Sequence, residues 1–173
     1  MRTRLPLFVL LFFLFLADAQ QAFCIEFSSR EGAFSIVLPG EPVQTKKPVH
    51  TAFGVLDEHQ FSRDQNSYAC LVTYSDYPEA VLLKITDPGK LLDSARDITI
   101  SDVQGKLVGE SAIMLGSYPG RDVKIILQQD TAIVRGRLYL AGNRLYQILV
   151  LSSKEIAYSN EINQFLDSFR LLQ

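Results

Sequence analysis

The sequence predicts an α+β domain built on an antiparallel sheet, and three observations carry that reading. Between Lys106 and Ser152 the chain runs as four β-favouring stretches, 106–115, 120–128, 131–140 and 144–151, separated by the corners "GSYPG", "QD" and "GN". Short alternating runs joined by turn residues are the signature of a meander. After the meander, Tyr158, Ile162, Phe165, Leu166 and Phe169 recur at helical spacing and form one apolar stripe, the pattern of a helix that packs onto a sheet. Upstream, "TDPGKLLDSARDI" shows the same change of period.

Each element has a local cause. In "FSIVLPGEP", Phe34, Ile36 and Leu38 share one face, and Pro39-Gly40 ends the strand. "VQTKKPVHT" is polar and contains Pro48, which suits a loop or a sheet edge. "GVLDEHQFS" and "SYACLVTYSDY" read as two strands joined through Arg63 to Asn66, with Tyr68, Cys70, Val72 and Tyr74 on one side of the second. Asp87 is placed to cap a helix and Pro88 to begin it. Leu91, Ala95 and Ile98 give that helix its apolar face, and fraying is expected at the β-branched "ITI", residues 98–100. The Gly142-Asn143 corner fits a primed two-residue turn in which both residues take positive φ. Ser152 and Glu155 have capping-box spacing and are expected to start the terminal helix.

Composition narrows the class. Residues 1–19 carry Arg2 and Arg4, a greasy run from Leu5 to Leu16, and "ADA" at 17–19, the three-part pattern of a secretory signal peptide. The run is shorter than the ~20 apolar residues of a spanning helix. Phe23 before Cys24 argues against a lipoprotein. Cleavage after Ala19 leaves a single domain, 20–173, exported to the periplasm or secreted, with no stable membrane insertion. Losing Arg2, Arg4 and Asp18 turns the formal net charge of −2 into −3. That balance excludes the concentrated basic face that nucleic acid requires. Cys24 and Cys70 are either two buried thiols or a disulfide, since spacing alone does not place the two sulfurs.

The pieces resemble exported bacterial proteins of the Mog1/PsbP-like superfamily. The resemblance lies in the "FxIxLP" strand at 34–39, "YSDYP" at 74–78, the "GxxPGR" corner from Gly116 to Arg121, "RLYLAGNRLY" at 137–146 and the terminal "FLDSFR" at 165–170. It implies an antiparallel sheet with helices on both faces, an α/β/α sandwich. It also implies action by protein binding, with a GTPase as the partner of Mog1 and photosystem II as that of PsbP. No motif here carries either partner across.

Chemistry-bearing motifs are sparse. The two histidines, His50 and His59, lie apart, and the sequence contains no HExxH, P-loop, GxSxG or DxDxDG pattern. No catalytic residue, cofactor or metal ligand is assigned. Strand register yields one constellation instead. A two-residue "GN" turn sets Tyr139 opposite Tyr146 and Leu140 opposite Leu145. A two-residue "QD" turn sets Lys124 opposite Arg135 and Asp122 opposite Arg137. A five-residue loop at 115–119 sets Glu110 opposite Lys124. Val134, Leu138, Leu140, Leu145 and Leu149 then face the core. The other side carries Glu110, Asp122, Lys124, Arg135 and Arg137, bordered by Tyr139, Tyr146 and Ile148. That side is either a ladder of cross-strand ion pairs or an anion- or partner-binding patch of Lys124, Arg135, Arg137, Tyr139 and Tyr146. Tyr118 and Arg121, at the Gly116–Arg121 corner, form a second candidate contact.

These features point to an exported, non-catalytic accessory module that binds an unidentified envelope or extracellular protein. The rival readings are a small-ligand carrier, with its pocket between the sheet and the C-terminal helix, and a hydrolase.

Overall fold

A computed structural model describes residues 24–172 except 86, 128 and 129. The signal-peptide reading, and Gln129 of the "QD" corner, lie outside the described residues. The architecture is mostly antiparallel β-sheet with a few helices. A seven-stranded sheet runs in the order β3 (Val43–Thr51), β4 (Gly54–Asp64), β5 (Tyr68–Asp76), β9 (Arg144–Ser153), β8 (Ala132–Ala141), β7 (Tyr118–Leu127), β6 (Gly105–Leu115). A smaller sheet joins β1 (Ile25–Ser29), β2 (Phe34–Leu38) and the two-residue β10 (Arg170–Leu171). Helices α1 (Glu79–Leu82) and α2 (Gly89–Asp102) lie between β5 and β6, and α3 (Asn160–Asp167) follows β9.

Both faces of the large sheet are covered, which sequence alternation alone did not reveal. On one face α2 packs Leu91, Leu92 and Ala95 against Val123, Ile125, Leu138, Leu140 and Leu145. On the other, α3 and the small sheet bring Phe34, Ile36, Leu38, Ile162, Phe165 and Phe169 onto Val72, Tyr74, Tyr139, Tyr146 and Ile148. Aromatic rings tie this second core together. Phe34 stacks on Phe169 at 5.6 Å and meets Phe61 edge-on at 5.3 Å. Such pairs contribute about 0.5–1.5 kcal/mol each beyond area burial.

Strand β3 is an edge, where Pro48 is tolerated and Lys46 and Lys47 discourage pairing with another chain. The tyrosine and leucine pairs across the β8–β9 turn, and the Lys124–Arg135 and Asp122–Arg137 pairs across β7–β8, stand as register predicts. Glu110 does not stand opposite Lys124. The β6–β7 turn is two residues, Gly116-Ser117, so Glu110 pairs with Val123 and moves to the α2 face. A one-residue shift reverses every side chain, and a bulge at Val108 restores the phase toward Gly105.

Four local expectations are also corrected. Gly142 has φ +64° whereas Asn143 is not in the positive-φ region, so the corner follows the II′ pattern with glycine first. Helix α2 continues through the "ITI" stretch to Asp102. Thr99 there is buried, and its hydroxyl donates to Ala95 O at 2.9 Å, so tertiary packing outweighs β-branching. The cap of the terminal helix lies seven residues later than Ser152. Ser152 and Ser153 belong to β9, and Ser159 is the cap, its Oγ accepting from Ile162 N at 3.4 Å. Tyr158 is therefore exposed ahead of the helix while Ile162, Phe165 and Leu166 carry its apolar stripe. Helix α2 starts one residue later than expected, with Pro88 as the N-cap and Gly89 first; Asp87 precedes the cap, its Oδ1 accepting from Gly89 N at 2.8 Å.

Candidate functional site

The charged side of β7–β8 lies beneath the C-terminal segment. Arg135 donates to Ala157 O and to Asn163 Oδ1, both at 2.7 Å, and its guanidinium sits 4.5 Å from the Tyr158 ring. Arg137 donates to Leu166 O at 2.9 Å, pairs with Asp167 at 2.5 Å and lies 3.5 Å from Asp122. Both arginines bind main-chain carbonyls of the terminal segment; Arg137, at Leu166 O, sits at the C-terminus of α3, where a cation is favoured. Tyr139 and Tyr146 are buried in the aromatic core, and burial pushes both phenols up. Tyr146 donates its hydroxyl to Gly32 O at 2.7 Å, fastening the β1–β2 turn to the large sheet. Of the three basic patch residues, Lys124 alone makes no side-chain hydrogen bond or ion pair among the described residues, and its Nζ lies 5.7 Å from the Tyr158 ring.

The Gly116–Arg121 corner projects from the sheet edge. Met114 is 60% exposed and Tyr118 38%. Arg121 turns back toward α2, 3.4 Å from Glu110 and 3.6 Å from Asp93. Arg96 joins the same cluster through Glu110 at 3.0 Å and Asp97 at 2.9 Å. Cys24 is exposed and Cys70 buried, and they are not bonded to each other. Burial, with Cys24 nearby, pushes the Cys70 thiol up to about 12.

The arrangement that composition and motif reading missed is a chamber on the α2 face, over the β3–β4–β5–β9 half of the sheet. Its volume is about 240 Å³, and α2 forms one wall with Ala95, Ile98, Thr99, Asp102 and Val103. A carrier pocket was expected at the C-terminal helix. The chamber is instead against α2, because α3 and the small sheet fill the opposite face with aromatic rings.

Register places a polar floor in an otherwise apolar box. Gln60, Thr73 and Gln147 form one cross-strand row, and Lys47, Glu58 and Ser75 the next. Leu56, Leu71, Leu145 and Leu149 are among the apolar residues of the lining. Gln60 Nε2 donates to Glu58 Oε1 at 2.7 Å, and Gln147 Nε2 to Glu58 Oε2 at 3.3 Å. Thr99 Oγ1 lies 3.1 Å from Gln147 Oε1 and links the wall to the floor. The Glu58 side chain is only 9% exposed, and Lys47 Nζ stands 3.9 Å away at the mouth. Thr73 Oγ1 is buried and has no hydrogen-bond partner among the described residues, an arrangement that costs roughly 1–3 kcal/mol. Tyr77 closes one end; burial, then the Glu58 charge, pushes its phenol up to about 12. The Gly142-Asn143 corner positions that tyrosine, because Tyr77 N donates to Asn143 O at 2.8 Å. The alternation of Leu56, Glu58 and Gln60 was legible in the sequence as one strand face. What hid the site was that its roof comes from α2.

Fold and chamber together define a small, sheet-dominated α+β domain with one polar-floored cavity against its longest described helix. No protein-family model matches the chain, and no curated protein matches it. The solution structure of cyanobacterial PsbP (CyanoP) from Synechocystis superposes with a TM-score of 0.61, covering 89% of this chain and 95% of that one at 11% identity. A Pseudomonas aeruginosa protein of unknown function aligns over 80% of this chain and 88% of that one, at 9% identity and a TM-score of 0.37. The fold of this protein is PsbP-like. No helix among the described residues is long and apolar enough to cross a membrane.

Proposed function

We propose that this protein is an exported, non-catalytic accessory module of the Mog1/PsbP-like kind, and that its ligand site is the chamber beneath α2. In this reading α2 and α3, on opposite faces of the large sheet, are the outer layers of the α/β/α sandwich, with β1–β2–β10 added beside α3. The observation that carries the function is the Glu58 carboxylate, nearly buried yet lining the chamber, beside Thr73, whose buried Oγ1 has no hydrogen-bond partner among the described residues. Apolar walls with a few placed polar groups are the usual make-up of a small-molecule site. The chamber is smaller than the roughly 300–1,000 Å³ of drug-sized pockets, so a ligand of about ten heavy atoms suits it. The test is native mass spectrometry of the protein purified gently from the envelope of its own cell. A co-purifying mass that disappears in Ser75→Leu, which fills the chamber, supports the reading. An unliganded protein, or an adduct that persists in that variant, rejects it.

A second reading has its own observation. Met114 and Tyr118 expose apolar surface at the β6–β7 turn, and Tyr is enriched at interface hot spots. An envelope or extracellular protein partner would dock there. Crosslinking that is lost in Tyr118→Ser supports it, and crosslinking unaffected by that change removes the turn from consideration.

A further inference from the structure

We infer that the chamber takes a small organic cation: a primary ammonium on a short apolar or aromatic body. The inference rests on the chamber being a ligand site, and concerns which chemistry it selects.

The charges of the lining set the sign. Two carboxylates, Glu58 and Asp102, face one amine, Lys47. Glu58 is the deeper carboxylate, and its two internal hydrogen bonds come from the neutral amides of Gln60 and Gln147. A carboxylate offers about four lone-pair sites, so Glu58 retains acceptor capacity. The cation in reach, Lys47 Nζ, is at 3.9 Å, too far for a hydrogen bond, and its side chain is half in water. A nearly buried negative charge thus has two amide donors, and its cation stands beyond hydrogen-bond distance at the mouth, leaving acceptor sites for a guest cation.

The neighbouring hydroxyls fit the same guest. Thr73 lies opposite Gln60, and Ser75 opposite Glu58, on the adjacent strand. Both residues line the chamber; Thr73 Oγ1 is buried and has no hydrogen-bond partner among the described residues, whereas Ser75 presents the second hydroxyl. A primary ammonium carries three donors and a full positive charge. It can meet a carboxylate and a hydroxyl together, whereas an alcohol supplies one donor and a carboxylate guest meets like charge. Leu56, Leu71, Ile98 and Leu145 would cover the ligand's body. A cavity of about 150 Å³ already holds benzene, so about 240 Å³ has room for a phenyl ring on a two-carbon arm.

The test is calorimetric titration of the protein with three amines, benzylamine, 2-phenylethylamine and hexylamine, each beside its alcohol isostere, and with phenylacetate. At least one amine is expected to bind ten-fold or more tightly than its alcohol, with phenylacetate weakest. Glu58→Gln should bring amine and alcohol affinities together. Lys47→Met, at an exposed position that puts no fold at risk, should tighten amine binding about three-fold by removing a competing cation. Amines and alcohols binding equally, with both lost in Ser75→Leu, would overturn the cation assignment while leaving the chamber a ligand site. No measurable binding by any probe would overturn both. An amine preference unchanged in both Glu58→Gln and Lys47→Met would place the selectivity elsewhere and overturn the assignment to Glu58.

Discussion

Replacing Arg135 by methionine removes the guanidinium that holds the 154–159 turn and keeps most of the apolar stem. The wild-type group donates to Ala157 O and Asn163 Oδ1, both at 2.7 Å, and stacks on Tyr158 at 4.5 Å. Ala157 is fully buried, and Arg135 supplies its carbonyl's hydrogen bond among the described residues. Leaving that carbonyl unpaired costs about 1–3 kcal/mol. Asn163 is partly exposed, and water replaces much of its bond, so its loss adds at most ~1 kcal/mol. The cation–π contact with exposed Tyr158 adds roughly 0.5–1 kcal/mol. Together these give a destabilisation of about 1.5–5 kcal/mol, or roughly 3–20 °C in Tm for a domain of this size. Urea unfolding followed by far-UV circular dichroism, with tyrosine fluorescence as a second probe, measures it. Arg135→Lys should recover only part of the loss, because one ammonium lacks the fork that reaches two acceptors. A change below ~0.5 kcal/mol, the scale of ordinary surface substitutions, would refute the reasoning and return Arg135 to an exposed ladder.

The other predictions probe backbone, core and titration. At Gly120 an added Cβ would meet Leu138 O and the Tyr139 ring at 2.5 Å; Gly120→Ala should cost about 1–3 kcal/mol, and unchanged urea stability would contradict the packing. Gly142→Ala meets no atom within 4 Å but keeps φ at +64°, so a smaller cost of about 1 kcal/mol is expected, read by the same unfolding curves. Tyr146→Phe leaves Gly32 O without its donor at 2.7 Å and should cost roughly 1–2 kcal/mol, with hydrogen exchange accelerated first in the β1–β2 turn. The Cys70 thiol, raised by burial and by Cys24 from 9.0 to about 12, stays protonated in the fold at pH values where it ionises in the unfolded chain. Its contribution to stability is therefore complete below about pH 9 and lost as pH rises toward 12. Native protein should react quickly with a thiol reagent at Cys24 alone, both thiols reacting in denaturant. Two fast thiols in the native state would refute the burial, and none would point to a bond between them.

The aromatic stripe at 162–169 and the strand alternations were readable because period and face are local properties of a pleated or helical backbone. Register across β8–β9 was equally readable, because the two-residue Gly142-Asn143 turn fixes which residues stand opposite, and the β7–β8 pairs stand as expected. The Glu110 position failed because "GSYPGR" permits a two-residue turn as readily as a longer loop, and one residue decides the face. The Ser152–Glu155 spacing suggested a helix start, yet Ser152 pairs with Ile133 and Tyr68 as a central strand residue. Hydrogen bonding to two neighbouring strands outweighs a local capping preference.

The candidate patch shows the same division. Sequence placed Lys124, Arg135, Arg137, Tyr139 and Tyr146 on one side of the sheet, and they are there. It did not show that α3 and the β1–β2–β10 sheet cover that side, because coverage depends on contacts between distant residues, 28 positions apart for Arg135 with Asn163 and 114 for Tyr146 with Gly32. Nor did it bring Thr99 of α2 above Gln147 of β9 to enclose Glu58. By itself the sequence determined the antiparallel sheet, its central register and the apolar faces of its helices, all set by short-range geometry. Tertiary structure alone decided which sheet face each helix covers and where a chamber is left between them, since burial is a property of what packs on a residue and not of the residue.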